Sequence, residues 1–177
     1  MNRRTISILL FFLLVLLIPP GAQAELQSRY VTLRYSNQQL LRDFNDELVL
    51  GRKLGYYLKN KQIVTVQDEV LAKLDVIIEK AEVVLDMFPA NFRITVVLLP
   101  DRRAVGAMYK TKYGKTANHI AYYSLKEKTI YISVDDTKLR VIAHEIGHSI
   151  VDHYFQVRPP YNIHELLAQF TEKHIVD

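Results

Sequence analysis

His144, Glu145 and His148 are spaced as a hydrolytic metal centre requires. Each residue of an α-helix advances ~100°, so two histidines four positions apart differ by only ~40° and leave one face a turn apart. Neutral imidazole nitrogens at ~2.0–2.1 Å suit zinc, and a catalytic zinc keeps one position open for water. Glu145 follows the first histidine directly, which sets a carboxylate beside the ion without making it a ligand. From there it would take a proton from the bound water as general base and return it to a leaving amine. The plainer alternative is an ordinary helix carrying two satisfied histidines and a solvated glutamate.

Two imidazoles alone hold zinc weakly, so a third protein ligand is needed. Downstream candidates are Asp152, His153, His164, Glu165, Glu172 and His174. His153 lies five residues beyond His148, ~140° round a straight helix, and so faces away. The longer pattern HExxHxxGxxH is absent, because Val151 and Tyr154 occupy its glycine and third-histidine positions. Glu165 is the preferred ligand. It opens a second helix after Pro159-Pro160, with Leu166, Leu167 and Phe170 expected to form that helix's buried stripe and Glu165, Ala168 and Gln169 on another face. A solvated or core-satisfying carboxylate is the alternative role. Asp152 is either an exposed helix charge or the partner of a ligand's second nitrogen. Gly147, costing ~1 kcal/mol against alanine inside a helix, is expected where a neighbour comes close.

The run His144-Glu145-Ile146-Gly147-His148, followed by Pro160-Tyr161-Asn162-Ile163-His164-Glu165-Leu166-Leu167-Ala168-Gln169-Phe170, resembles the gluzincin metallopeptidases. The likeness is to their short peptidase MA-like branch, whose downstream motif usually reads P-x-W-L-x-E-G-L-A-x-aromatic. Pro160, Glu165, Leu167, Ala168 and Phe170 match it, while Asn162 and Leu166 stand where tryptophan and glycine are usual. The motif covers about 30 residues near the C-terminal end, and a weaker likeness in element order reaches back to Thr65.

The resemblance implies a zincin-like catalytic subdomain with one zinc ion per chain, held by His144, His148 and Glu165, with Glu145 as the catalytic base. It also implies an edge strand that binds an extended peptide or protein substrate by antiparallel pairing, for which residues His119 to Ser124 are the candidate. A hairpin serving only the fold is the alternative there. Tyr161 is a candidate stabiliser of the oxyanion, although most of the eleven tyrosines should be packing residues.

The elements that must position these groups read as follows. Tyr30–Tyr35 alternates as a strand, and Ser36-Asn37 caps a helix through Leu50 that Gly51 ends. Thr65 with Asp68 and Glu69 starts a long helix, Val66 to about Met87, stopped by Pro89. The apolar run Phe92–Leu99 predicts a buried central strand, followed by a short helical piece around Arg103–Tyr109. Runs His119–Ser124 and Thr129–Val134 predict an antiparallel hairpin. Asp135 and Asp136 would cap a helix over about Thr137–Tyr154, and Asn162 a last one over Ile163 to about Ile175. This order is α+β: a small mixed or antiparallel sheet, a long backing helix, an active-site helix and a C-terminal ligand helix.

Arg3 and Arg4, the apolar stretch Ile6–Ile18 and the triplet Ala22-Gln23-Ala24 read as a secretion signal over residues 1–24. The stretch is shorter than the ~18 residues a stable membrane span needs, so no span is expected; an uncleaved anchor is the alternative. Cleavage would leave residues 25–177 as a single domain and lower the net charge from +4 to +2, which with no basic run argues against nucleic acid. With no cysteine, the domain has neither disulfides nor a lipid-bearing thiol. The expectation is a secreted or periplasmic zinc peptidase, the alternative a catalytically inactive zinc-binding or partner-docking domain. Nothing in the sequence bears on oligomeric state.

Overall fold

A computed structural model describes residues 23–177, so the expected leader lies outside the described residues except for Gln23 and Ala24. Five strands build one mixed sheet in the order β1-β2-β3-β5-β4: β1 (Ala24–Gln27), β2 (Val31–Tyr35), β3 (Ile94–Leu99), β4 (Ala121–Ser124) and β5 (Thr129–Ser133). The three central strands are mutually parallel, and the outer strands β1 and β4 each run antiparallel to their neighbour. Among the described residues six α-helices accompany the sheet, and the fold is α+β. They are α1 (Gln38–Glu47), α2 (Gly51–Tyr57), α3 (Val66–Leu85), α4 (Arg102–Tyr113), α5 (Leu139–Tyr154) and α6 (Tyr161–His174).

The pleat divides the core. Val31, Leu33, Ile94, Val96, Leu98, Ile130 and Ile132 point to one face and pack with α1, α3 and α5. Val97, Tyr122 and Tyr131 point to the other and pack with Val105 of α4. β3, as expected from its continuous apolar run, is the central strand with both faces covered.

Local chemistry sets the helix ends. Thr65 and Asp68 form a reciprocal capping box at the start of α3. That helix stops at Leu85 rather than Met87, because Asp86 turns left-handed at φ 53° and the Met87 N–H bonds back to the Glu82 carbonyl. Asn37 caps α1 as expected, accepting the Leu40 N–H at 2.9 Å. Gly51, by contrast, does not end that helix but, at φ 73°, opens α2, a segment the sequence reading missed along with β1. α4 is longer than the short piece expected, running from its Asp101 cap to a left-handed Gly114. Lys73 of α3 is buried and donates to the Asn45 carbonyl and side chain, tying α1 to α3.

Two expected caps are corrected. Asp135 and Asp136 do not start α5, whose cap position is Lys138; Asp136 instead receives Arg102 at 2.7 Å and the Ser133 hydroxyl at 2.8 Å. Asn162 lies within the first turn of α6, and Pro160 holds the cap position, its carbonyl accepting from the His164 N–H. No described helix is long and apolar enough to cross a membrane.

Candidate metal centre

Helices α5 and α6 cross where their side chains are smallest. A Cβ added to Gly147 would lie 2.8 Å from Thr171 Oγ1 and 3.1 Å from Ala168 Cα, so the glycine permits the close approach anticipated for it. This contact sets the rotation of α6. Its buried residues are His164, Ala168 and Thr171, with Ile175 just beyond the helix end, whereas Leu166 and Phe170 are exposed. The expected stripe is therefore corrected: Leu167 is half-buried against the core, but Leu166 and Phe170 are exposed and Ala168, expected on another face, is buried, since shape at the crossing outweighs side-chain hydrophobicity.

The same rotation swings Glu165 toward the histidines of α5. His144 Nε2 and His148 Nε2 are 3.1 Å apart, and the Glu165 carboxylate oxygens lie 3.6 Å from the first and 3.5 Å from the second. A tetrahedral ion with ~2.0–2.1 Å bonds separates its ligand atoms by roughly 3.3 Å. Glu165 turns one oxygen toward each nitrogen, and with one ligand atom from each residue lying within 4.8 Å of the others, two imidazoles and a carboxylate fit zinc in donor type and can close on such an ion. Gln169 donates to Glu165 Oε1 at 3.0 Å and steadies it.

Each histidine uses its other nitrogen elsewhere. His144 Nδ1 meets Glu172 Oε2 at 3.1 Å, and His148 Nδ1 meets His164 Nδ1 at 2.8 Å. Such partners fix ring orientation and tautomer in metal sites. His164 is 1% exposed, and its Nε2 faces Asp152 Oδ1 at 3.7 Å. The Asp152 side chain is nearly buried, accepting from the Tyr123 hydroxyl at 3.2 Å with Arg158 3.5 Å away. Asp152 thus faces His164 rather than a cluster histidine, just beyond hydrogen-bond reach of its Nε2, and it is not an exposed charge.

The remaining candidates fall outside the cluster. His153 turns away, as its helical angle requires, to the Ser149 carbonyl and the edge of Phe92. His174 pairs with Asp177. Tyr161 lines the cleft but is 76% exposed. Sequence reasoning did not assign the roles of Glu172, His164 and Gln169. A helical signal existed for Glu172, which sits seven residues after Glu165 and so within ~20° of it round the helix.

Glu145 lies beside the cluster, buried, at the wall of a cavity of about 560 Å³. Burial pushes its carboxyl up to about 8, with Glu165 and Glu172 adding to the rise while a hydrogen bond from the Tyr123 backbone pulls the other way. Burial drives His148 down to about 3, helped by His144, His164 and Arg158, so its imidazole is neutral as a metal ligand must be. The cavity continues along β4, which is an outer strand of the sheet.

Comparison with known proteins finds no matching family model, no matching curated protein and no matching solved structure.

Proposed function

We propose that the protein is an exported zinc-dependent peptidase of gluzincin type, with a zincin-like catalytic subdomain and one zinc ion bound by His144, His148 and Glu165. The observation that carries this reading is the ligand-like spacing of those three groups, 3.1 to 3.6 Å, with Glu145 alongside them. Zinc, when bound, would supply Lewis acidity for a substrate carbonyl and a water that is easily deprotonated. Glu145 would accept a proton beside the ion on its carboxylate and pass it to the leaving amine. Its buried position keeps competing solvent away from the transfer. The outer edge of β4 would hold an extended substrate by backbone pairing. Glu172 and His164 keep both imidazoles presenting Nε2 to the ion. Export rests on the leader-like residues 1–24.

The test combines metal analysis with digestion of an unbiased peptide library. One zinc per chain and cleavage are expected, with Glu145→Gln keeping zinc and losing ~10²–10⁴-fold in rate. An active Glu145→Gln protein would remove the mechanism. A second reading, a zinc-holding docking domain without turnover, draws on the exposed Ile163, Leu166 and Phe170 along α6. It predicts zinc binding without cleavage of any peptide.

A further inference from the structure

The cavity beside the histidine cluster passes round β4 to the opposite face of the sheet, where Tyr109, Tyr113, His119 and Tyr122 line it. Their rings meet edge to face: Tyr109 and Tyr122 are 5.1 Å apart at 89°, and Tyr109 and His119 are 5.0 Å apart at 65°. Tyr122 also stacks on Tyr131 at 4.9 Å. Its neighbours satisfy their hydroxyls, Tyr113 with Ser124 and Tyr131 with Glu127. The Tyr122 hydroxyl is buried and has no partner among the described residues, although the residue is only 7% exposed. Unpaired buried polar groups are uncommon because they forfeit the hydrogen bonds that water would give.

The strand geometry carries a peptide to this recess. The Ile120 carbonyl accepts the Ser133 N–H, so Ile120 and Tyr122 turn their backbone groups toward β5. Those of Ala121 and Tyr123 turn outward along the cleft. A chain paired on that edge places the side chain opposite Tyr122 on the Tyr122 face. Among the described residues no carboxylate lines the aromatic end of the cavity to receive a cation, and a substrate carboxylate would lose its hydration among the rings.

Resting on the peptidase reading, we propose that this recess is a specificity subsite for a tyrosine side chain of an extended peptide, whose ring packs on Tyr109, His119 and Tyr122 and whose hydroxyl accepts from Tyr122. A pocket offering an otherwise unpaired donor rejects the analogue that lacks the acceptor. Phenylalanine therefore binds the same rings less well.

The experiment scans Tyr, Phe, Leu, Glu and Lys through each position flanking the cleaved bond of a peptide the zinc-loaded protein hydrolyses. At one position kcat/KM is expected to favour Tyr over Phe about tenfold, and Phe over Lys or Glu. Tyr122→Phe should bring the Tyr/Phe ratio near one, and His119→Ala, at an exposed position, should lower both aromatic rates. A Tyr/Phe ratio that is unity, or unchanged in Tyr122→Phe, overturns the subsite. A second arm needs no turnover: the same peptides are titrated into Glu145→Gln protein carrying ¹³C-labelled tyrosine. The Tyr peptide should move the Tyr122 ring resonance more than the Phe peptide, and equal or absent shifts overturn the proposal. Absence of hydrolysis with that selective shift intact would fell the peptidase reading alone.

Discussion

The Nδ1 atoms of His148 and His164 lie 2.8 Å apart, so one of the two rings must donate and the other accept. With His148 presenting Nε2 to a metal, its Nδ1–H is the donor, and the proton of His164 falls on Nε2, facing Asp152. His164→Ala is expected to weaken zinc binding ~10–100-fold, as loss of such partners does elsewhere, and His164→Asn to recover part of that through its carbonyl oxygen. Competition with a chromophoric chelator measures this. Unchanged affinity in His164→Ala would show that the pair is packing alone.

Glu172 and Glu165 should separate in the same assay. Glu172→Gln keeps an acceptor for His144 Nδ1 but loses its charge, and a fall of ~10-fold in zinc affinity is expected. Glu165→Ala removes a ligand atom and is expected to cost far more. Equal losses would contradict the assignment of Glu165 to the ion and Glu172 to the ring.

Gly147→Ala sets two effects against each other. Helix propensity favours alanine by ~1 kcal/mol, but the new methyl meets Thr171 and the Ala168 backbone at 2.8 to 3.1 Å, and overpacking of that kind costs about 1–3 kcal/mol. Net destabilisation in urea is expected. Thr171→Ala clears only the side-chain half of the clash, so the double variant should recover part of the loss in a thermodynamic cycle.

Asp75 offers a pH test away from the cleft. Burial raises its carboxyl above the ordinary 3.8, although the Ser28 hydroxyl, 2.6 Å away, opposes the rise. The native state then holds the proton more tightly than the unfolded chain. Its contribution favours folding at low pH, declines as pH climbs from 3.8 to the raised value, and remains a cost above it. Asp75→Asn, which still accepts from Ser28, should raise the urea midpoint near neutral pH and flatten that decline. A lower midpoint at neutral pH would show that the ionised carboxylate stabilises the turn it holds.

The sequence showed some of this plainly. The spacing of His144, Glu145 and His148 is written in one helix, and the capping box at Thr65 and the apolar run of β3 are local patterns that tertiary contacts did not override. β1 escaped notice because Ala24-Glu25-Leu26-Gln27 has no β-branched residue and gains its order from pairing with β2 and from Ala24 and Leu26 packing on the core. α2 has two glycines and no capping side chain, so nothing local announces it. The facing of α6 depends on how closely Gly147 lets another helix approach, which no pattern within α6 records. Glu165, Glu172 and His164 all stood among the downstream candidates, but it takes the docking of α6 on α5 to set Glu165 toward the Nε2 atoms and the other two behind the rings.

β1 and β4 are the two margins of a five-stranded sheet, and neighbouring strands lie ~4.8 Å apart, so about 19 Å of sheet stands between them. Ala24 therefore stands at the margin remote from the cleft, and a chain beginning there and held by that residue would offer its cavity unobstructed.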